Sequence, residues 1–157
     1  MGLFRGKRPP ADRRYRWPAG ARPPTEFVGV APGSAGFPHE FDTADGVPVR
    51  LHDMAFLGME HQVRPPTLRL RFRYDDPTWT PSEAEGTPVA VLEFTGVLIR
   101  QWEDEHDLYE LPEDVRAQVR SFDWYEPTST FSLLTTGTRL LFSASRLAVR
   151  LEAPPAG

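Results

Sequence analysis

Apolar and polar side chains alternate with a period of two along much of this chain. Over residues 67–74, Leu68, Leu70, Phe72 and Tyr74 take one parity while Arg69, Arg71 and Arg73 take the other, which predicts a strand with one buried and one wet face. Asp75-Asp76-Pro77 ends it, and a polar loop carrying Trp79 runs on to Gly86. Residues 89–102 are too apolar and too β-branched for a surface helix. Their apolar phase changes near Leu92, so they predict one long strand with a bulge or twist at Thr95-Gly96. Residues 130–134 and 139–152 predict two further strands joined through Thr135-Thr136-Gly137-Thr138. In the second of these, Leu141, Leu147, Val149 and Leu151 share a parity opposite to Arg146 and Arg150.

Upstream, Phe27-Val28-Gly29-Val30 fits a short edge strand. An Asp45-Gly46 turn within residues 41–47 predicts a hairpin leading through Val49 and Leu51 to a strand over residues 54–59. Residues 112–121 carry the one helical signal: Pro112 in the first turn, Glu113 and Asp114 at the start, Arg116 and Arg120 toward the end, and Val115 with Val119 four apart. Strands following strands with a single helix predict a mainly β fold, an antiparallel sandwich or curled sheet with one short helix around residues 112–121.

Composition sharpens this picture at the N-terminus. Seventeen prolines in 157 residues favour loops, edges and extended segments over long helices. Residues 1–24 combine Arg, Pro, Gly and Ala with few large apolar side chains, and are expected to be a disordered basic arm ahead of one β-rich domain over residues 25–157. Residues 1–25 hold seven basic side chains against Asp12, a net +6, which leaves −10 for the remainder of a chain whose total is −4. Such an arm suits nucleic acid, an anionic membrane or the acidic domain of its own chain, while a solvated tail is the plainer reading. The Arg, Ala and Pro bias fits a GC-rich bacterial genome.

The absence of cysteine excludes disulfide staples, thiolate zinc sites and cysteine nucleophiles. No apolar run reaches signal-peptide or membrane-spanning length, so a cytoplasmic protein without a membrane span is expected.

The motifs are sparse. His52-Asp53 resembles the paired ligands of metal-dependent phosphohydrolases, but His39, His61 and His106 lack the helical spacing such a site uses, and Asp53 capping a turn, with His52 satisfying a backbone group nearby, is the plainer reading. Glu103, Asp104, Glu105, His106 and Asp107 form an acidic run without the alternation and glycine of a calcium loop. There is no Gly-rich phosphate loop, GxSxG elbow or HExxH helix, so no catalytic residue, metal or cofactor is assigned. Arg69, Arg71 and Arg73 project from one sheet face and could bind phosphates or an acidic protein; pairing with acids on neighbouring strands is the alternative. Phe122, Trp124, Tyr125 and Trp102 are either core or the rim of a binding surface. The candidate binding residues are therefore Arg69, Arg71, Arg73, Trp102, Asp104 and Asp107.

Leu51-His52-Asp53-Met54, Leu68-Arg69-Leu70-Arg71-Phe72, Leu92-Glu93-Phe94-Thr95-Gly96-Val97 and the stretch from Phe131 through Gly137 to Leu141-Phe142-Ser143-Ala144 together resemble small bacterial proteins common in actinobacteria, some of them grouped with the immunity proteins of polymorphic toxin systems. The resemblance spans about residues 47–152 and leaves the arm outside. It implies a β-rich protein that neutralises a toxin by binding it, with no catalytic residues to carry over. The expected function is thus a non-enzymatic protein-binding module. Its alternatives are a nucleic-acid-associated protein using the arm and the arginine face, and a small metal-dependent hydrolase using His52, Asp53 or His106.

Overall fold

The computed structural model describes residues 25–33, 36–104 and 118–155. Within them the alternation builds eleven strands: β1 (Glu26–Val28), β2 (Glu40–Asp42), β3 (Pro48–Arg50), β4 (Ala55–Gln62), β5 (Thr67–Arg73), β6 (Val89–Thr95), β7 (Leu98–Asp104), β8 (Val119–Tyr125), β9 (Thr130–Thr135), β10 (Thr138–Ser143) and β11 (Arg146–Glu152). A five-stranded sheet has the order β1-β11-β6-β5-β4, a four-stranded sheet the order β7-β10-β9-β8, and β2 pairs with β3 as a separate hairpin. The fold is mainly β, as the alternation predicts. Every pairing is antiparallel except that of β1 with β11.

β5 shows why the two sheets pack. Leu68, Leu70 and Phe72 are fully buried, while the arginines between them lie on the opposite face. Inward residues of β6 and β11 continue that apolar surface: Phe94, Leu92 and Ala90 stand in register with Leu68, Leu70 and Phe72 on one side and with Leu147, Val149 and Leu151 on the other. Phe94 crosses to the smaller sheet, its ring centroid 4.8 Å from that of Phe142 and 5.0 Å from that of Phe131. Both contacts are edge-to-face, the arrangement aromatic quadrupoles favour. The β2–β3 hairpin adds Phe41 and Val49 to the same core. The Tyr74 hydroxyl fastens it, accepting from the Arg50 amide at 2.9 Å and donating to the Pro48 carbonyl at 2.8 Å.

Three expectations need correction. Residues 89–102 are not one strand: the chain breaks at Gly96, which has a φ of 66°, and leaves the larger sheet as β6 to enter the smaller as β7. Residues 139–152 divide in the same way, with β10 in the smaller sheet and β11 in the larger, and the break at Ala144-Ser145 resets the side-chain parity. Leu140 and Phe142 therefore face the core together with Leu147 and Val149, while Leu141 is only partly buried. The helix expected over residues 112–121 lies outside the described residues as far as residue 117, and from Val119 onward the chain is strand. A register shift between Val119 and Ser121 leaves Arg120 without a pairing partner on β9. Val119 and Phe122, three apart, are thereby both buried, a spacing that reads as helical in sequence.

The two crossings between sheets meet. The Ser145 amide donates to the Thr95 carbonyl at 3.0 Å, its hydroxyl donates to the same oxygen at 3.1 Å, and the Glu26 amide donates to the Ser145 carbonyl at 2.9 Å. The arm over residues 1–24 lies outside the described residues. Among those described, no helix is long and apolar enough to cross a membrane.

Candidate functional site

The arginine ladder stands on the outer face of the larger sheet, as its parity predicts, and the neighbouring strands bring carboxylates to it. Arg69 lies between Glu60 on β4 and Glu93 on β6. Its Nη2 donates to Glu93 Oε2 at 2.6 Å and its Nε to the same oxygen at 3.2 Å. Glu60 accepts from Arg71 and, at 3.4 Å, from Arg69. Arg150 on β11 sits 3.9 Å from Glu93 and 2.7 Å from Glu152.

The hydrogen bond from Arg69 holds the Glu93 carboxyl below the usual carboxylate range against the opposing effect of burial, and the Arg69, Arg150 and Arg146 charges add to it. Arg71 does the same for Glu60. Val91, between Arg71 and Arg150 in register, is fully buried on this outward face, as expected where long arginine stems lie over apolar surface with their heads in water. Arg73 differs. It faces Ala55 and Val89, makes no ion pair among the described residues, and has a buried Nε without an acceptor.

Trp102 and Asp104 belong to the other sheet. Both are on β7, an edge strand among the described residues, so the fold does not gather them with the arginines. The β7–β10 register skips Arg100: Ile99 pairs with Phe142, and Gln101 with Leu141. This bulge flips the phase, so that Trp102, opposite Leu140, falls on the core side of the strand while Leu98 falls on the outer side. Both are exposed, Leu98 at 57% and Trp102 at 53%. Asp104 Oδ1 accepts from the Thr138 hydroxyl at 2.8 Å, fixing the acidic end of the strand. Asp107 and His106 lie outside the described residues.

His52 and Asp53 occupy a 3₁₀ turn between β3 and β4, with His52 Nε2 3.5 Å from Asp53 Oδ1. Sequence reasoning did not foresee their neighbours: Asp75, Asp76 and Trp79 from the loop after β5 join them around an open groove of about 550 Å³. Among the described residues, no three His, Cys, Asp or Glu side chains converge so as to hold a metal ion. The His39 ring lies 5.6 Å from that of His52, and its Nε2 is buried with no hydrogen-bond partner among the described residues. Burial, then the His52 charge, pull the His39 pKa below its ordinary value, while Asp123 and Glu40 pull the other way.

Of the aromatic candidates, Phe122 is core and Trp124 is partly buried. The Trp124 ring packs edge-to-face on Phe27 and Phe37, with centroids at 4.9 and 5.9 Å. Nothing in the sequence pattern points to this grouping, because its three rings come from β1, β8 and the segment before β2.

No family model, curated protein or solved structure matches this chain.

Proposed function

We propose that this chain is a non-enzymatic protein-binding module that docks its partner along β7, in the role that the resemblance to immunity proteins implies. The observation that carries this reading is the pair of exposed apolar side chains, Leu98 and Trp102, placed on opposite faces of one edge strand by the bulge at Arg100. An extended segment added to such an edge gains main-chain hydrogen bonds, and side chains on each face of the strand give it specificity. An exposed tryptophan is also the residue type that most often dominates binding energy. The bulge and the acidic end at Glu103 and Asp104 limit indiscriminate pairing with other strands. The matching edge of the larger sheet, β4, exposes Leu57 as its one large apolar side chain.

The nucleic-acid alternative draws less support, because two arginines of its ladder are already paired with Glu60 and Glu93.

Affinity capture from a bacterial host lysate tests the proposal, using the full chain, a Leu98→Lys/Trp102→Lys variant and a Leu57→Lys variant. One protein, retained by the full chain and by Leu57→Lys but lost by the double variant, is the expected outcome. Co-expression of that protein should arrest growth, and the full chain should restore it. Retention by all three chains, or loss at Leu57→Lys instead, overturns the assignment to β7.

A further inference from the structure

The edge of β7 lies within reach of residues 1–24. Thr25, the first described residue, donates its hydroxyl to the Ala144 carbonyl at 2.8 Å, and the Glu26 amide donates to the Ser145 carbonyl. Ser143, one residue before Ala144, pairs with Leu98 at the start of β7. Only the passage from β10 to β11 therefore separates the point where the chain joins the described fold from the foot of β7. A segment lying along β7 and leading into Thr25 runs antiparallel to it. In extended form it needs about ten residues, at ~3.3 Å each, to cover β7 and the two strand spacings at its foot. Counted back from Thr25, that brings residues 13–16 beside Glu103 and Asp104.

The two stretches match in this direction. The far end of β7 is acidic, and its carboxylates are held by uncharged donors: Glu103 accepts from the Gln101 amide and Asp104 from the Thr138 hydroxyl. Residues 13–16 read Arg13-Arg14-Tyr15-Arg16. The nearer part of β7 exposes Leu98 and Trp102, and residues 17–21, Trp17-Pro18-Ala19-Gly20-Ala21, carry no charge. In the parallel direction the arginines would lie beside Leu98 and leave Glu103 and Asp104 unmatched.

We propose that residues 13–21 pair antiparallel along β7 in the free protein, and that a partner has to displace them. Among the described residues β7 is an edge, so its outer main-chain groups gain hydrogen bonds from the added segment. The arginines add charge-assisted bonds to the carboxylates. Pro18 fits a strand that becomes the new outer edge, where alternate amides face away from the neighbouring strand, and it stops that edge from templating another. A competing partner meets an affinity reduced by the fraction of β7 left open. The displacement rests on the reading of β7 as a docking edge; the pairing itself does not.

The chain has no cysteine, so a nitroxide attached at Ala11→Cys labels the full-length ¹⁵N chain at one place. The indole signals of Trp102 and Trp79 are assigned by their loss in Trp102→Phe and Trp79→Phe. Trp79 serves as the reference, because it follows the end of β5 that pairs with Val89, remote from Gly96. The expected result is loss of Trp102 intensity relative to the reduced label, with Trp79 unaffected and with recovery of Trp102 in Arg14→Glu/Arg16→Glu. No loss at Trp102, equal loss at Trp79, or a loss that the arginine variant leaves unchanged overturns the pairing. So does a loss produced by mixing labelled ¹⁴N chain with unlabelled ¹⁵N chain, which assigns the segment to a second copy. Capture from host lysate then separates the two readings. Arg14→Glu/Arg16→Glu should retain more partner than the full chain, and unchanged retention overturns the displacement. No protein captured by either chain, with the Trp102 loss present, leaves the pairing standing and overturns the docking reading together with the displacement.

Discussion

A side chain on residue 96 would have to share space with Ser145. A Cβ built on Gly96 falls well within van der Waals contact distance of Ser145 Oγ and 3.0 Å from its Cβ, and the backbone at Gly96 has a φ of 66°. These two residues mark the points where the chain crosses between sheets, once in each direction, and the crossings are in contact. Gly29, with a φ of 83°, meets a harder obstacle, because its Cβ would lie on the backbone carbonyl of Val149.

Gly96→Ala should cost about 1–2 kcal/mol from the left-handed backbone alone, plus the clash with Ser145. Adding Ser145→Gly removes the clash but not the backbone strain, and so should recover part of the loss. Gly29→Ala should be the more damaging change, since a carbonyl in a strand ladder cannot rotate away. Urea denaturation of the four chains measures each difference, and equal costs at residues 29 and 96 would refute the ranking.

Phe94 is the side chain through which the sheets meet, fully buried and in ring contact with Phe131 and Phe142. Phe94→Ala should lower stability by about 3–5 kcal/mol, the cost of the lost transfer energy plus the cavity left behind. By contrast Trp102→Ala, on the exposed edge, should change it by less than about 0.5 kcal/mol. Thermal unfolding of both variants decides whether the edge tryptophan is structural.

The Arg69–Glu93 pair gives stability a defined acid dependence. Its hydrogen bond depresses the folded-state pKa of Glu93, so as pH falls the unfolded chain takes up its proton first. The pair's contribution is therefore complete above the ordinary glutamate range and is lost as pH drops through the depressed value. A partly exposed pair of this kind contributes at most about 1 kcal/mol. Arg69→Leu should be destabilising at neutral pH and converge on the unmodified chain in acid; a difference that persists unchanged below the glutamate range would contradict this.

His39 acts at higher pH with the same sign. Burial first, and His52 second, depress its folded-state pKa, so the neutral form is favoured in the fold. Stability is full above the ordinary histidine pKa of about 6.5 and declines as pH falls from there toward the folded value. His39→Phe should flatten that slope. Two-dimensional NMR of the imidazole signals offers a direct check, with His39 titrating below a histidine in the denatured chain.

The elements that were legible in the sequence are those whose signal is local. β5 announces itself because Leu68, Leu70 and Phe72 alternate with arginines over a single unbroken strand. The turn at Gly46, with a φ of 86°, is equally local. The crossings at Gly96 and Ser145 were not legible, because an apolar run looks the same whether it stays in one sheet or passes into another. Bulges at Arg100 and Arg120 shift parity and mislead a period-two reading in the same way. The arginine face could be seen, but its partners Glu60 and Glu93 come from two other strands. The groove at His52 and the ring cluster at Trp124 depend on segments far apart in the chain, and no spacing rule connects them.

The parallel pairing of β1 with β11 has a mechanical consequence. The first described residues enter beside Arg146, while β11 runs on to Glu152 at the opposite end of the same pair. Tension applied between the beginning of β1 and the end of β11 therefore pulls the two strands lengthwise past each other, loading their hydrogen bonds together. Antiparallel terminal strands would instead peel apart one bond at a time, so this domain meets a pull on its two ends in its stiffer direction.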